Sequence, residues 1–248
     1  MRRSVRKSVQ SIALLLTIAT STLSAQQPNS ATTAEKNFLP AGPFQFEPDD
    51  IQPTYMDVSD DRSVVKSPDG KLDITVTGAK KVYQGWVTIS PLTFTGAAVQ
   101  VWPIQASVAV LWRPDSHSFA LTDNRYANLS YVLVCGTEFR MGEDKPGLGI
   151  QIIDLTPILR RHFEEDARKY YDTDNYETRL FYVKTLRWIG NDDLLVGVSA
   201  RTLGPPTFPN QGQKQWDFAY LVDVPNTKVM RQVTKQQLLS EYKIKVPY

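Results

Sequence analysis

The sequence predicts an all-β fold of repeated four-stranded antiparallel meanders, β-propeller-like, with one inserted helix and a short C-terminal helix. Three observations carry this expectation: apolar residues alternate with polar ones along several segments, tight-turn tokens bound those segments, and the arrangement recurs. Leu72, Ile74 and Val76 alternate, as do Leu194, Val196 and Val198, and then Phe218, Tyr220, Val222 and Val224. A period of two puts one set of side chains on one face of a strand, so each segment reads as a half-buried strand. The turn tokens are Ser67-Pro68-Asp69-Gly70-Lys71, Arg113-Pro114-Asp115-Ser116, Gly190-Asn191-Asp192-Asp193 and Pro225-Asn226-Thr227. Proline presets φ for the first turn position, and Asp, Asn and Gly tolerate the conformations that follow. Hairpins follow, and the sheet is mainly antiparallel.

Taken from the start of the chain, residues 1–7 carry Arg2, Arg3, Arg6 and Lys7 and no acidic residue. Ser11 to Leu23 then supply an apolar stretch about a dozen residues long, shorter than the roughly twenty that span a bilayer. It ends in Thr22-Leu23-Ser24-Ala25. Charge, apolar core and small residues in that order are the plan of a cleaved secretory signal peptide over 1–25, so the protein is expected to be periplasmic or secreted from a bacterium, with no transmembrane anchor. Val5 and Arg6 stand where a twin-arginine signal wants apolar residues, which favours the general secretory route. The whole chain of 248 residues has 28 Lys and Arg against 26 Asp and Glu; removing those four basic residues from the 28 leaves 24. No basic excess then remains to attract nucleic acid. The 42% hydrophobic and 22% charged content is that of a globular chain.

Residues 26–53, with five prolines and no sustained apolar period, read as a flexible or extended leader. Phe38, Phe44 and Phe46 are the residues that would lay it against the domain. A single domain is expected over 54–248.

Within that domain three turns look like copies of one unit. Each joins a strand (Val64-Val65; Val110-Leu111-Trp112; Leu186-Arg187-Trp188) to an apolar strand just after it (Leu72 to Val76; Phe119 to Leu121; Leu194 to Val198), and two further strands follow. The units are expected at about 61–104, 107–155 and 178–232. Their spacing, once an insertion near 156–176 is set aside, is close to the roughly 40–50 residues of a four-stranded propeller blade. The Ser-Pro-Asp-Gly-Lys at 67–71 and Trp-Arg-Pro-Asp-Ser at 112–116 resemble the first turn of bacterial β-propeller repeats, such as those of periplasmic Tol-system propellers and prolyl-peptidase propeller domains. The resemblance covers three units and implies a propeller. Three are fewer than the usual minimum of about four blades, which leaves a further unit, an open stack, or two chains completing one another.

Two helices interrupt the strands. Thr156 as N-cap and Pro157 at the first helical position open one whose Ile158, Leu159, His162, Phe163, Ala167 and Tyr170 recur at helical spacing. Thr234 and Gln237 form a capping-box pattern for a short helix through about Tyr242.

The residues bring no familiar catalytic set together, and no catalytic, cofactor-binding or metal residue is assigned. There is no Gly-x-Ser-x-Gly elbow, and Asp115-Ser116-His117-Ser118 are consecutive in a turn, so they cannot converge as a triad. Cys135, the one cysteine, lies in the apolar run from Tyr131 and reads as a buried thiol. His117 reads as a turn residue and His162 as a packed helix side chain; two histidines and one cysteine offer no zinc spacing. Asp172-Thr173-Asp174-Asn175-Tyr176-Glu177 starts like a calcium loop, but lacks its glycine and has Tyr176 at a ligand position. No Gly-rich phosphate cradle appears. Two loops, Phe139 to Gly147 and Leu203 to Gln215, exceed what a hairpin needs. Long loops on a rigid scaffold are where binding resides. The expectation is an exported, non-enzymatic domain that binds a protein, peptide or glycan through these loops, with a hydrolase assembled from distant residues, or a structural protein pairing edges between copies, as alternatives.

Overall fold

Each of the three Pro/Gly turns joins two antiparallel strands, and two further antiparallel strands complete each set. The computed structural model describes residues 51–57, 63–79, 84–92, 96–126, 129–141, 146–168, 178–202 and 215–245. The first meander is β2 (Val64–Lys66), β3 (Leu72–Ala79), β4 (Gln84–Pro91) and β5 (Val99–Ile104). The second is β6 (Ser107–Trp112), β7 (Ser118–Tyr126), β8 (Leu129–Met141) and β9 (Pro146–Asp154). The third is β10 (Thr178–Ile189), β11 (Asp193–Thr202), β12 (Gln215–Asp223) and β13 (Lys228–Val233). Pairing within each meander is antiparallel throughout. Ahead of them β1 (Thr54–Asp57), a strand the sequence pattern does not announce, pairs with β6 and sinks Met56 into the core.

The expected alternation reports which faces are covered. In β3, Leu72, Ile74 and Val76 are buried and the residues between them are not, because the first sheet packs on one side only. In the second meander both faces are buried. Val108, Val110, Trp112, Phe119, Leu121, Leu133 and Cys135 pack with the first sheet, while Leu111, Ala120, Val132 and Val134 pack with the third meander. A strand with two buried faces reads as an unbroken apolar run, which is what Val108 to Trp112 and Val132 to Cys135 are.

The turns stack against one another in a row. In the first, Asp69 Oδ1 accepts from Ser67 Oγ and Lys71 N; in the second, Asp115 Oδ1 accepts from Arg113 Nε and His117 N. Gly70 (φ +70°) and Ser116 (φ +65°) hold the same position. Serine pays a steric cost at that φ, and its Oγ is engaged: it accepts from Asp69 N of the first turn at 3.0 Å. Arg113 Nη1 reaches the third turn, donating to Asn191 O at 2.7 Å.

These meanders do not form the expected propeller. The sheets are not closed. The second and third meanders share one sheet, through parallel pairing of β8 and β10 at Leu129 and Phe181. The outer face of the third meander is not available to another blade, since Leu186, Leu195, Ala219 and Val233 are covered by Leu238, Tyr242 and Ile244. Leu238 belongs to α2 (Lys235–Ser240), which carries the expected capping box: Gln237 N donates to Thr234 Oγ1 and Thr234 N to Gln237 Oε1.

The inserted helix α1 (Thr156–Arg168) buries Leu159 and Phe163, whose ring meets Phe181 and Phe218 edge-on. Its cap differs from the expectation. Leu155 O is the first helical acceptor, Asp154 Oδ1 takes Thr156 N, and Thr156 Oγ1 instead accepts from Val132 N of β8. The Thr156 hydroxyl is drawn away from the helix because it satisfies a buried strand amide.

Buried backbone groups of β10 are completed by side chains. Val183 N donates to Ser130 Oγ at 2.7 Å, which donates on to Val183 O; Thr185 N donates to Thr122 Oγ1 at 3.1 Å, and Trp188 Nε1 to Leu111 O. Ser130→Ala leaves the buried Val183 amide without its partner, a loss of about 1–3 kcal/mol, to be read as a lower urea midpoint at unchanged slope.

Candidate functional site

β8 is thirteen residues long and outruns its neighbours. Its start meets β10, and from Leu133 onward β9 runs beside it instead. The residues expected as the first long loop are therefore mostly hairpin: Phe139–Met141 end β8 and Pro146–Gly147 begin β9, with 142–145 outside the described residues. Beyond the cover of the third meander, this hairpin and the second turn enclose an open depression of about 510 Å³.

Its floor is short of side chains. Gly136 pairs with Gln151, and Gly149 with Glu138. A Cβ at Gly149 would stand 3.0 Å from Arg140 Nε, so glycine is what lets the guanidinium fold over the strand. One wall is Arg140, whose Nε and Nη2 both donate to Glu138 Oε2 at 3.0 and 2.9 Å. That pair is 72% and 68% exposed, and an exposed ion pair contributes at most about 1 kcal/mol, so an incoming carboxylate competes with Glu138 at little cost. The other wall is Arg113, His117 and Ser118. Arg113 is tied down, bound to Asp115 and Asn191 and placed over the Trp188 ring at 5.9 Å. Thr137 joins turn and floor, donating from both N and Oγ1 to His117 O.

His117 is thus an exposed turn residue, as expected, but one that lines this depression; the signal that would have marked it is its proximity in sequence to a turn Arg. His162 lies elsewhere, half-buried on α1 with Nδ1 3.7 Å from Glu165 Oε2. Cys135 is fully buried, and burial pushes its thiol up to about 12. The calcium-like segment 172–177, the loop residues 203–214 and the whole of 1–50 lie outside the described residues. Among the described residues no three His, Cys, Asp or Glu side chains gather as a metal site, and no helix is long and apolar enough to cross a membrane.

Three of the carboxyls whose pKa moves lie at the turns. Hydrogen bonding from Ser67, aided by Lys71, holds Asp69 at about 2. Burial works against the charge of Asp115, but its bonds from Arg113 and His117 N outweigh this and lower it. Asp193 is raised, by burial and then by Asp223 and Asp192. Compared with protein-family models, with characterised proteins and with solved structures, the chain matches none.

Three outcomes follow from this geometry. Asp69, with a folded pKa below its unfolded one, stabilises above the unfolded value near ~3.9 and loses that contribution as pH falls toward about 2; Asp69→Asn flattens the acid limb of a pH-melting curve. Asp193 has the opposite sign, since its charge opposes folding above the unfolded pKa, so Asp193→Asn raises Tm at pH 7 and leaves it unchanged at pH 3. Cys135 resists iodoacetamide in the native protein at pH 8 and is alkylated on unfolding, as mass spectrometry will register.

Proposed function

We propose that the protein is an exported, non-enzymatic binding domain and that the depression between the second turn and the β8–β9 hairpin takes a segment of a polypeptide partner. The observation that carries this reading is the pairing of a rigid wall with a yielding one: Arg113 is held from three sides, while Arg140, among the described residues, is tied to one exposed carboxylate. A guanidinium of that second kind exchanges partners readily and suits acidic side chains. Of the polypeptide and glycan ligands expected, the lining favours the polypeptide, because two guanidinium groups face it and its described residues include no Phe, Tyr or Trp on which a sugar would lie.

The hydrolase alternative draws no support from this lining. Its cysteine is buried with a raised thiol pKa, and Asp69 and Asp115 are spent on their own turns. Export follows from the amino-terminal pattern of basic, apolar and small residues, and fractionation of cells producing the full chain tests it.

Thermal-shift measurements with short acidic peptides, neutral peptides and oligosaccharides test the site. A ligand at a hundred times its Kd adds about 2.7 kcal/mol. Acidic peptides are expected to raise Tm, and Arg140→Ala or His117→Ala to weaken the effect about tenfold with the unliganded Tm unchanged. A shift with oligosaccharides alone, or one that survives both substitutions, overturns the reading.

A further inference from the structure

We infer that the edge of β9 that no described strand covers is itself a docking edge, on which an extended segment of alternating apolar and acidic residues is added as a further strand. The inference rests on the polypeptide reading above and states how the segment is held. β9 pairs with β8 and with no other described strand. The phase of its ladder follows from one bond: Leu155 N donates to Val132 O at 2.9 Å. Hydrogen-bonded and non-bonded pairs alternate along an antiparallel ladder, so Gly147, Gly149, Gln151 and Ile153 face β8. Leu148, Ile150 and Ile152 therefore turn their N–H and C=O groups away from it, toward the edge.

Edge strands are ordinarily guarded by shortness, charge or proline. The other edges of the described sheets show such guards. β2 has three residues and ends in Lys66, which is paired with Asp73; β1 has four and ends in Asp57; β5 contains Pro103; β13 carries Lys228 and Arg231. β9 carries Pro146 and Asp154 only at its two ends; the seven residues between them, Gly147 to Ile153, have no charge and no proline, a longer unguarded run than either β1 or β2 offers.

The two faces of the hairpin say what the added strand carries. Phe139, Leu148, Ile150 and Ile152 share one face; Leu148 and Ile150 are half-buried against the core that the first sheet covers, and Phe139 and Ile152, 44% and 39% exposed, extend it into solvent. Glu138, Arg140, Gly149 and Gln151 share the other, which is the depression. A strand laid beside β9 continues both faces, so alternate side chains meet the apolar group and the remainder point toward Arg140 and Arg113. Main-chain bonds supply affinity and the alternating side chains supply selectivity, as in other cases of strand addition.

The test is selection of random twelve-residue peptides displayed on phage against the purified protein, followed by anisotropy titration of the enriched peptides and amide exchange by NMR. Enriched peptides are expected to alternate apolar residues with Asp or Glu. Binding slows exchange at Leu148, Ile150 and Ile152 at least about tenfold. Ile152→Pro deletes one outward N–H without touching the β8 ladder and weakens binding about tenfold, whereas Ile152→Val does not. Peptides that bind without slowing those three amides overturn the added strand and leave the depression as the site; the exchange measurement holds even where Ile152→Pro does not fold. No enrichment, alongside a positive shift with acidic peptides, overturns the added strand alone, and absence of both overturns the two readings together. A dimer in sedimentation that Ile152→Pro dissociates assigns the edge to a second copy of the chain and overturns the peptide.

Discussion

The structure depends on the first strand of the third meander being laid across the face of the second. β10 opens the third meander, and its unpaired amides at Val183 and Thr185 are buried rather than hydrated. A buried amide without a partner costs more than most single contacts return, so those groups are met by Ser130 and Thr122, hydroxyls on the inner face of β7 and β8. The same seam continues through Trp188 to Leu111 O and ends where Arg113 reaches Asn191 O. Because short hydroxyl side chains set the approach, the third meander sits close over one end of β8 and does not reach the other. The depression is the consequence.

This arrangement also accounts for the unequal appearance of the three meanders in sequence. The middle one is covered on both sides and contributes continuous apolar runs. The first is covered once and alternates. The third stands between, since α2 and Ile244 shield the side of β11 and β12 opposite the main core, and Leu195 and Ala219 are buried beside Leu194 and Tyr220. The same cover ends the series of meanders and keeps it from closing.

Much of this was legible from local residues. The four turn tokens, the alternating strands, the capping box at Thr234 and the buried thiol of Cys135 each stand where the residues put them. The misreadings have local causes too. Thr156 and Asp154 both carry the chemistry of a cap, and only the demand of Val132 N decides which one serves the helix. Phe139 to Gly147 reads as a long loop because its glycines and charges lack the alternation of a half-buried strand; once β8 and β9 pair, Phe139–Met141 and Pro146–Gly147 extend as strands. β1 is four residues long, too short for a period to show. Of the candidate site, only His117 and the loop near Phe139 were visible in advance.

Sequence by itself determined the alternating strands, the turns and the capping box at Thr234, because each depends on residues a few positions apart. Only the tertiary structure decided that the second and third meanders share an open sheet, that Arg113 and Arg140 face one depression, and that no other described strand covers the outer edge of β9. Those outcomes turn on which buried amides find hydroxyl partners and which faces are covered, and the residues involved lie some fifty to eighty positions apart along the chain.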